Sequence, residues 1–186
     1  MYSDLYEKGF IFFDEIDIPE EVKFYLSDIN NYTIKEDEDH VFEMKEFPDF
    51  ILNLLLPSIS KISTKVTGLG AKMFLQGYSL YPHRDTITES NYNVSSSIFL
   101  LWFCPDNFEG REFVWGEIKD LDKIELLETK QFCTEIGWDD PNLITLGEFK
   151  PSTGAGVVFD RINPRWWHGV KELISSSRVI TIGGYI

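Results

Sequence analysis

The sequence predicts an α+β chain that is mainly β, with N-terminal helices packed against a sandwich or jelly-roll core. Three observations predict it. The two main helical patterns fall in the first part of the chain, about residues 1–70. From Ala71 onward, short aromatic and branched runs alternate with turns, as in all-β sandwiches and barrels. The composition, 43% hydrophobic and 15% aromatic in 186 residues, suits one domain with a sizeable core.

The elements follow in order. Gly9-Phe10-Ile11-Phe12-Phe13 ends at Asp14 and reads as a strand. Pro19-Glu20-Glu21 opens a helix to about Ile29, because proline suits a first turn and acids suit the positive helix end. Val22, Leu26 and Ile29 share its apolar face. Residues 35–40 (KEDEDH) read as a solvated loop. Pro48 begins a second helix to about Val66, with Ile51, Leu54, Leu55 and Ile59 on one side. Pro57 is expected to kink or divide it, and Gly68 and Gly70 to close it. Strands are expected at 71–81, 95–103, 111–118, 143–149, 155–160, 166–170 and 177–185. Residues 119–142 form an insertion, helical from Leu121 to Gln131 and turn-like from Gly137 to Asn142. The expected organisation is a single domain over 1–186, with helical support to about 70 and the core from about 71.

Charge and cysteines narrow the partners. Asp and Glu outnumber Lys and Arg 31 to 17, a formal charge of −14. Such a surface repels phosphate backbones, and the basic residues are scattered, so nucleic acid is not expected as a partner. No apolar run approaches the roughly 20 residues of a membrane helix. The N-terminus carries acids and no apolar run, so no signal peptide is expected. Cys104 and Cys133 lack metal or redox spacing and read as reduced thiols of a cytoplasmic protein.

Chemistry concentrates in four residues. The chain has three histidines, and two of them, His83 and His168, combine with Asp85 into the ligand set of a non-haem iron(II) oxygenase. A strand repeats every two residues, so His83 and Asp85 project from one face, with Tyr81 sharing their parity. His168 in Trp166-Trp167-His168-Gly169-Val170 is the candidate third ligand. Three ligands on one face of an octahedral ion leave three positions for a bidentate 2-oxoacid and O2. Asp85 at the ligand position favours hydroxylation over halogenation, which would need that position vacated. Arg178 shares parity with Ile180 and Ile182. An arginine on an apolar strand face needs an anion. The distal carboxylate of 2-oxoglutarate suits it, and an internal carboxylate such as Asp160 is the rival.

These residues carry a family resemblance. HRD at 83–85, WWHGV at 166–170 and SRVITIGGY at 177–185 resemble the iron(II)/2-oxoglutarate-dependent dioxygenases, specifically the prolyl-4-hydroxylase-like branch. Phe99-Leu-Leu-Trp-Phe103, Phe108-Glu-Gly110-Arg-Glu112-Phe113 and Gly154-Ala-Gly-Val-Val-Phe159 are similar to its intervening strands and Gly-Gly-Glu turn. The resemblance covers about residues 70–186. It implies a double-stranded β-helix flanked by N-terminal helices, with Fe(II) on His83, Asp85 and His168 and 2-oxoglutarate on Arg178. It further implies hydroxylation of a peptidyl (including prolyl) or small-molecule C–H bond, using O2 and releasing succinate and CO2. There are two departures. Arg111 stands where the branch has its second glycine, and Phe74 stands near the place of a frequent tyrosine. Tyr78, Tyr81 and Ser97 are therefore the candidates to assist Arg178.

Around the site, residues 86–94 read as a rim. Trp166, Trp115, Arg161 and Arg165 are the candidate substrate contacts, Trp166 because it shares parity with His168. Two rival readings remain beside the oxygenase. One is a cupin-like metal enzyme that does not use 2-oxoglutarate. The other is a non-enzymatic β-sandwich in which the motif is coincidence.

Overall fold

The structure, a computed structural model, describes residues 8–35, 38–44, 46–85, 97–105, 107–129, 133–161 and 163–186. The N-terminal part holds β1 (Phe10–Phe13), α1 (Glu20–Ser27), β2 (Thr33–Lys35), β3 (Glu38–Met44) and α2 (Asp49–Ile59). The core follows with β4 (Thr67–Phe74), β5 (Leu80–Asp85), β6 (Ser97–Phe103) and β7 (Phe113–Ile118). The chain then runs through β8 (Leu126–Thr129), β9 (Cys133–Ile136), β10 (Leu143–Phe149), β11 (Gly156–Asp160), β12 (Trp166–Val170) and β13 (Val179–Tyr185).

A seven-stranded sheet, ordered β1-β11-β6-β13-β4-β3-β2, packs on a six-stranded sheet, ordered β10-β7-β12-β5-β9-β8. The strand period distributes the apolar side chains into layers. Between the helices and the larger sheet lie Val22, Leu26, Ile51, Leu55, Phe99, Leu101, Ile180 and Ile182. Between the two sheets lie Phe10, Trp102, Phe113, Val157, Phe159, Trp166 and Val179. Outside the smaller sheet, Trp167 packs with Val114, Ile118 and Ile136. Each such side chain contributes about 1.5–3 kcal/mol on burial, so the helices stabilise the larger sheet from behind.

Four local expectations differ from the observed elements. Of the stretch 35–40 expected as a solvated loop, Lys35 ends β2 and residues 38–40 begin β3, because pairing with β4 and β2 overrides their polarity, while residues 36 and 37 lie outside the described residues. In β3, Glu43 lies opposite Lys72, with their charged groups 3.7 Å apart. α2 ends at Ile59 and carries Pro57 in its last turn, while Gly68 and Gly70 fall inside β4. The run 71–81 is split into β4 and β5 by a turn at Gly77, whose φ is +88°. The segment after Leu121 makes one 3-10 turn and then β8, which with β9 widens the smaller sheet. Residues 130 and 131 of that expected helix lie outside the described residues. Among the described residues, no helix is long and apolar enough to cross a membrane.

Candidate metal centre

Neighbouring strands β5 and β12 of the smaller sheet place the two imidazoles side by side. His168 pairs directly with His83 in the antiparallel register. Their rings lie 4.2 Å apart between centroids, and Asp85 Oδ1 is 3.9 Å from His83 Nε2. One ligand atom from each of His83, Asp85 and His168 falls within a 4.8 Å cluster. His168 is wedged between Phe159 and Phe113, at 4.5 and 5.4 Å between ring centroids. His83 Nδ1 lies 2.9 Å from the Tyr81 carbonyl. A carbonyl only accepts, so Nδ1 donates to it, and Nε2 is the ring nitrogen on the side of Asp85.

A bulge aims this pair. Beyond His168–His83 the register resumes at Val170–Leu80, so two residues of β12 span three of β5. Leu80, His83 and Asp85 consequently all line one cavity, and Tyr81 is turned out to 47% exposure. Gly169 permits the irregularity. A Cβ there would meet Trp138 at 2.9 Å and the Pro82 nitrogen at 3.0 Å.

The electrostatics fit a divalent cation. Asp85 Oδ2 is shielded from solvent and has no hydrogen-bond partner among the described residues. Burial pushes the Asp85 carboxyl above the ordinary carboxylate range, and His83 and Arg161 only partly oppose it. Burial, together with His83, holds His168 well below the usual imidazole value. A buried carboxylate that resists ionising alone, beside a buried His168 that resists protonation, is the environment a dication relieves. Two nitrogens and one oxygen suit Fe(II) and similar first-row ions. Mn(II), a redox-quiet stand-in, is therefore expected to stabilise the fold. At about 100 times its Kd it adds about 2.7 kcal/mol, which raises Tm by roughly 5–10 °C for a chain of this size. Differential scanning fluorimetry checks this, and an Asp85→Ala variant is expected to show no such shift.

The cavity beside the triad, about 450 Å³, opens between the sheets. Tyr78 lines it, as do Thr181 of β13 and Arg111 just before β7. Other predicted residues lie elsewhere. Arg178 shares the face of Ile180 and Ile182, as alternation requires, but that face looks toward the helices. Its Nη1 donates to the Ser27 carbonyl at the C-terminal end of α1 at 2.8 Å, a favoured place for a cation. The cavity face of β13 carries Thr181, Gly183 and Tyr185 instead. Ser97 is buried with the opposite parity from Ile98, Leu100 and Trp102, which line the cavity.

Trp115 lies tilted against Phe12 at 4.3 Å, and Trp166 meets Phe10 edge-on at 6.3 Å. Arg165 pairs with Glu117, its Nε donating at 2.9 Å. Arg161 is buried, lies 5.3 Å from the Tyr185 ring centroid, and is close enough to Asp85 to lower its pKa. The expected rim at 86–94 lies outside the described residues. Arg111 and Thr181 escaped sequence reasoning. The available signal for Arg111 was an arginine at a glycine position of the turn.

No family model matches the sequence, and no curated protein matches it. Solved structures do resemble the fold. A 2OG-Fe(II) oxygenase family oxidoreductase from Burkholderia pseudomallei aligns with TM-score 0.57 and 13% identity, over 98% of this chain and 86% of that one. A Pseudomonas putida prolyl-4-hydroxylase aligns with TM-score 0.58 and 10% identity, over 98% and 94%. A Trichoplax adhaerens prolyl hydroxylase, solved with a hypoxia inducible factor oxygen degradation domain peptide fragment, aligns with TM-score 0.58 and 11% identity, over 98% and 86%. The chain thus has the double-stranded β-helix fold of the 2OG-Fe(II) oxygenases, with a His-Asp-His triad between its sheets.

Proposed function

We propose that the chain is an Fe(II)- and 2-oxoglutarate-dependent oxygenase that hydroxylates a C–H bond of a peptidyl or small-molecule substrate. The observation that carries this reading is the triad, brought from two strands to one point at an apolar cavity. His83, Asp85 and His168 would hold the metal. Bound iron and 2-oxoglutarate would supply, with O2, the oxidising power that converts C–H to C–OH and releases succinate and CO2.

The protein's own residues prepare that chemistry. The Tyr81 carbonyl fixes the tautomer and ring plane of His83. Phe113 and Phe159 hold the His168 ring and keep water from that side. Arg161, buried beside Asp85, is a predicted substrate contact that stays near the triad. The peptide bound by the Trichoplax neighbour supports a peptidyl substrate. Cys104 and Cys133, which form no disulfide among the described residues, support a reducing, cytoplasmic setting.

Two measurements test the reading. Under anaerobic conditions, Fe(II) plus 2-oxoglutarate is expected to give a weak visible charge-transfer band. In air, succinate is expected to form only when iron and 2-oxoglutarate are both present. Saturating ligand with no band and no succinate would rule the assignment out. A peptide and metabolite screen for products carrying one added oxygen atom then identifies the substrate.

A further inference from the structure

Arg111 is the most unusual side chain in the cavity. It is 4% exposed, yet no carboxylate pairs with it among the described residues. Its Nε and Nη1 are shielded from solvent and have no hydrogen-bond partner there. The guanidinium lies 4.0 Å from the Phe74 ring centroid and 4.9 Å from that of Tyr78. Those stacks fix its plane and leave its N–H groups to seek an acceptor. Burial draws its pKa down to about 10, which keeps it charged at neutral pH. A lone buried cation is costly without an anion.

The backbone adds a second cost. Arg111 has φ +67°, in the left-handed region, directly after Gly110 at φ +81°. A non-glycine residue there is strained by about 1 kcal/mol or more, and such strain clusters where a side chain is needed. The Arg111 N–H donates to the Glu172 carbonyl at 3.0 Å, which pins the turn against the segment after β12. The other cations are placed differently. Lys72 lines the cavity but faces Glu43, and Arg178 is tied to Ser27 on the far side of β13. Arg161 also has a buried Nε with no partner among the described residues, but it lies behind Tyr185 and beside Asp85 and does not line the cavity.

We infer that Arg111, presented from the smaller sheet on the Phe74–Tyr78 platform, is the anchor for the distal carboxylate of the 2-oxoacid co-substrate, in place of Arg178. The inference rests on the oxygenase reading proposed above. It also balances charge: a dication on Asp85 leaves one positive charge, Arg111 adds a second, and 2-oxoglutarate carries two negatives. Thr181 shares the cavity wall and can add a hydroxyl.

The test compares 2-oxoglutarate with 2-oxopentanoate, which has the same chain without the distal carboxylate. Binding to the Mn(II)-loaded protein is measured by calorimetry, without turnover. Wild type is expected to prefer 2-oxoglutarate by at least about thirtyfold, as for a buried ion pair that loses one partner. Arg111→Met is expected to reduce the preference below about threefold, with 2-oxopentanoate affinity and the Mn(II)-induced Tm shift retained. Arg111→Lys is expected to recover part of the preference, and Arg178→Met to keep all of it. The inference is overturned if Arg111→Met keeps the preference, or if Arg178→Met abolishes it. The Arg178→Met arm decides even if Arg111→Met fails to fold. If wild type takes up Mn(II) but binds neither 2-oxoacid, the oxygenase reading itself fails, and the anchor with it.

Discussion

Replacing His168 by alanine is expected to remove iron- and 2-oxoglutarate-dependent succinate formation by more than about a thousandfold. Groups that merely orient a ligand cost about ten- to a hundredfold when lost, and His168 is a ligand rather than an orienting group. Without it, only the two donors on β5 remain, spaced along one strand and unable to enclose an ion. The fold is expected to survive. The lost imidazole leaves space against Phe113 and Phe159, a destabilisation of roughly 1–3 kcal/mol. His168→Gln, closer in volume, separates ligand loss from the effect of that space. Metal content after anaerobic reconstitution, read beside a thermal melt, checks both parts. A folded His168→Ala protein that retains one equivalent of Fe(II) would remove His168 from the site.

The triad was legible because its signal is local and chemical. His83 and Asp85 stand two apart, a spacing that one strand turns into one direction. His168, on a second strand, was the only good candidate for the third ligand. The anchor was harder to read for a definite reason. Alternation along β13 correctly grouped Arg178 with Ile180 and Ile182, but both faces of the larger sheet are apolar, one toward the helices and one toward the cavity. Periodicity says which residues share a face and is silent on which face meets the site. Tyr81 failed differently. The bulge at Gly169 breaks parity between Leu80 and His83, and a bulge leaves no trace in a hydrophobic pattern.

The same distinction runs through the fold. Strands with strong aromatic and branched content were readable, and 143–149 and 166–170 match β10 and β12. Strand β3 was not, because Glu43 owes its extended state to the partner strand and to Lys72 across the ladder. Strands β8 and β9 extend the smaller sheet beyond β5, and Leu126 and Leu127 remain exposed there. Weak patterning at that edge looked like a helix because no core face imposed a period of two.

Phe99 and Phe113 offer a pair of deletions that separates scaffold from site. Phe99 is 0% exposed on β6, on the helix-facing side with Leu101 and Ile182. The opposite side of the same strand lines the cavity through Ile98, Leu100 and Trp102. Phe99→Ala is expected to cost about 3–5 kcal/mol, a Tm drop of roughly 6–20 °C, while the Mn(II)-induced shift persists below the transition. Phe113, 1% exposed, is stacked against His168 at 22° between ring planes. Phe113→Ala is expected to cost a similar amount of stability and also to weaken Mn(II) affinity about ten- to a hundredfold, since it frees the ring that presents the ligand nitrogen. Chemical denaturation measured with and without Mn(II) reads both quantities in one series. Equal metal affinities in the two variants would mean that the aromatic wall packs the core without orienting His168. Unequal affinities at matched stability would place the orienting role in Phe113, on the layer between the sheets.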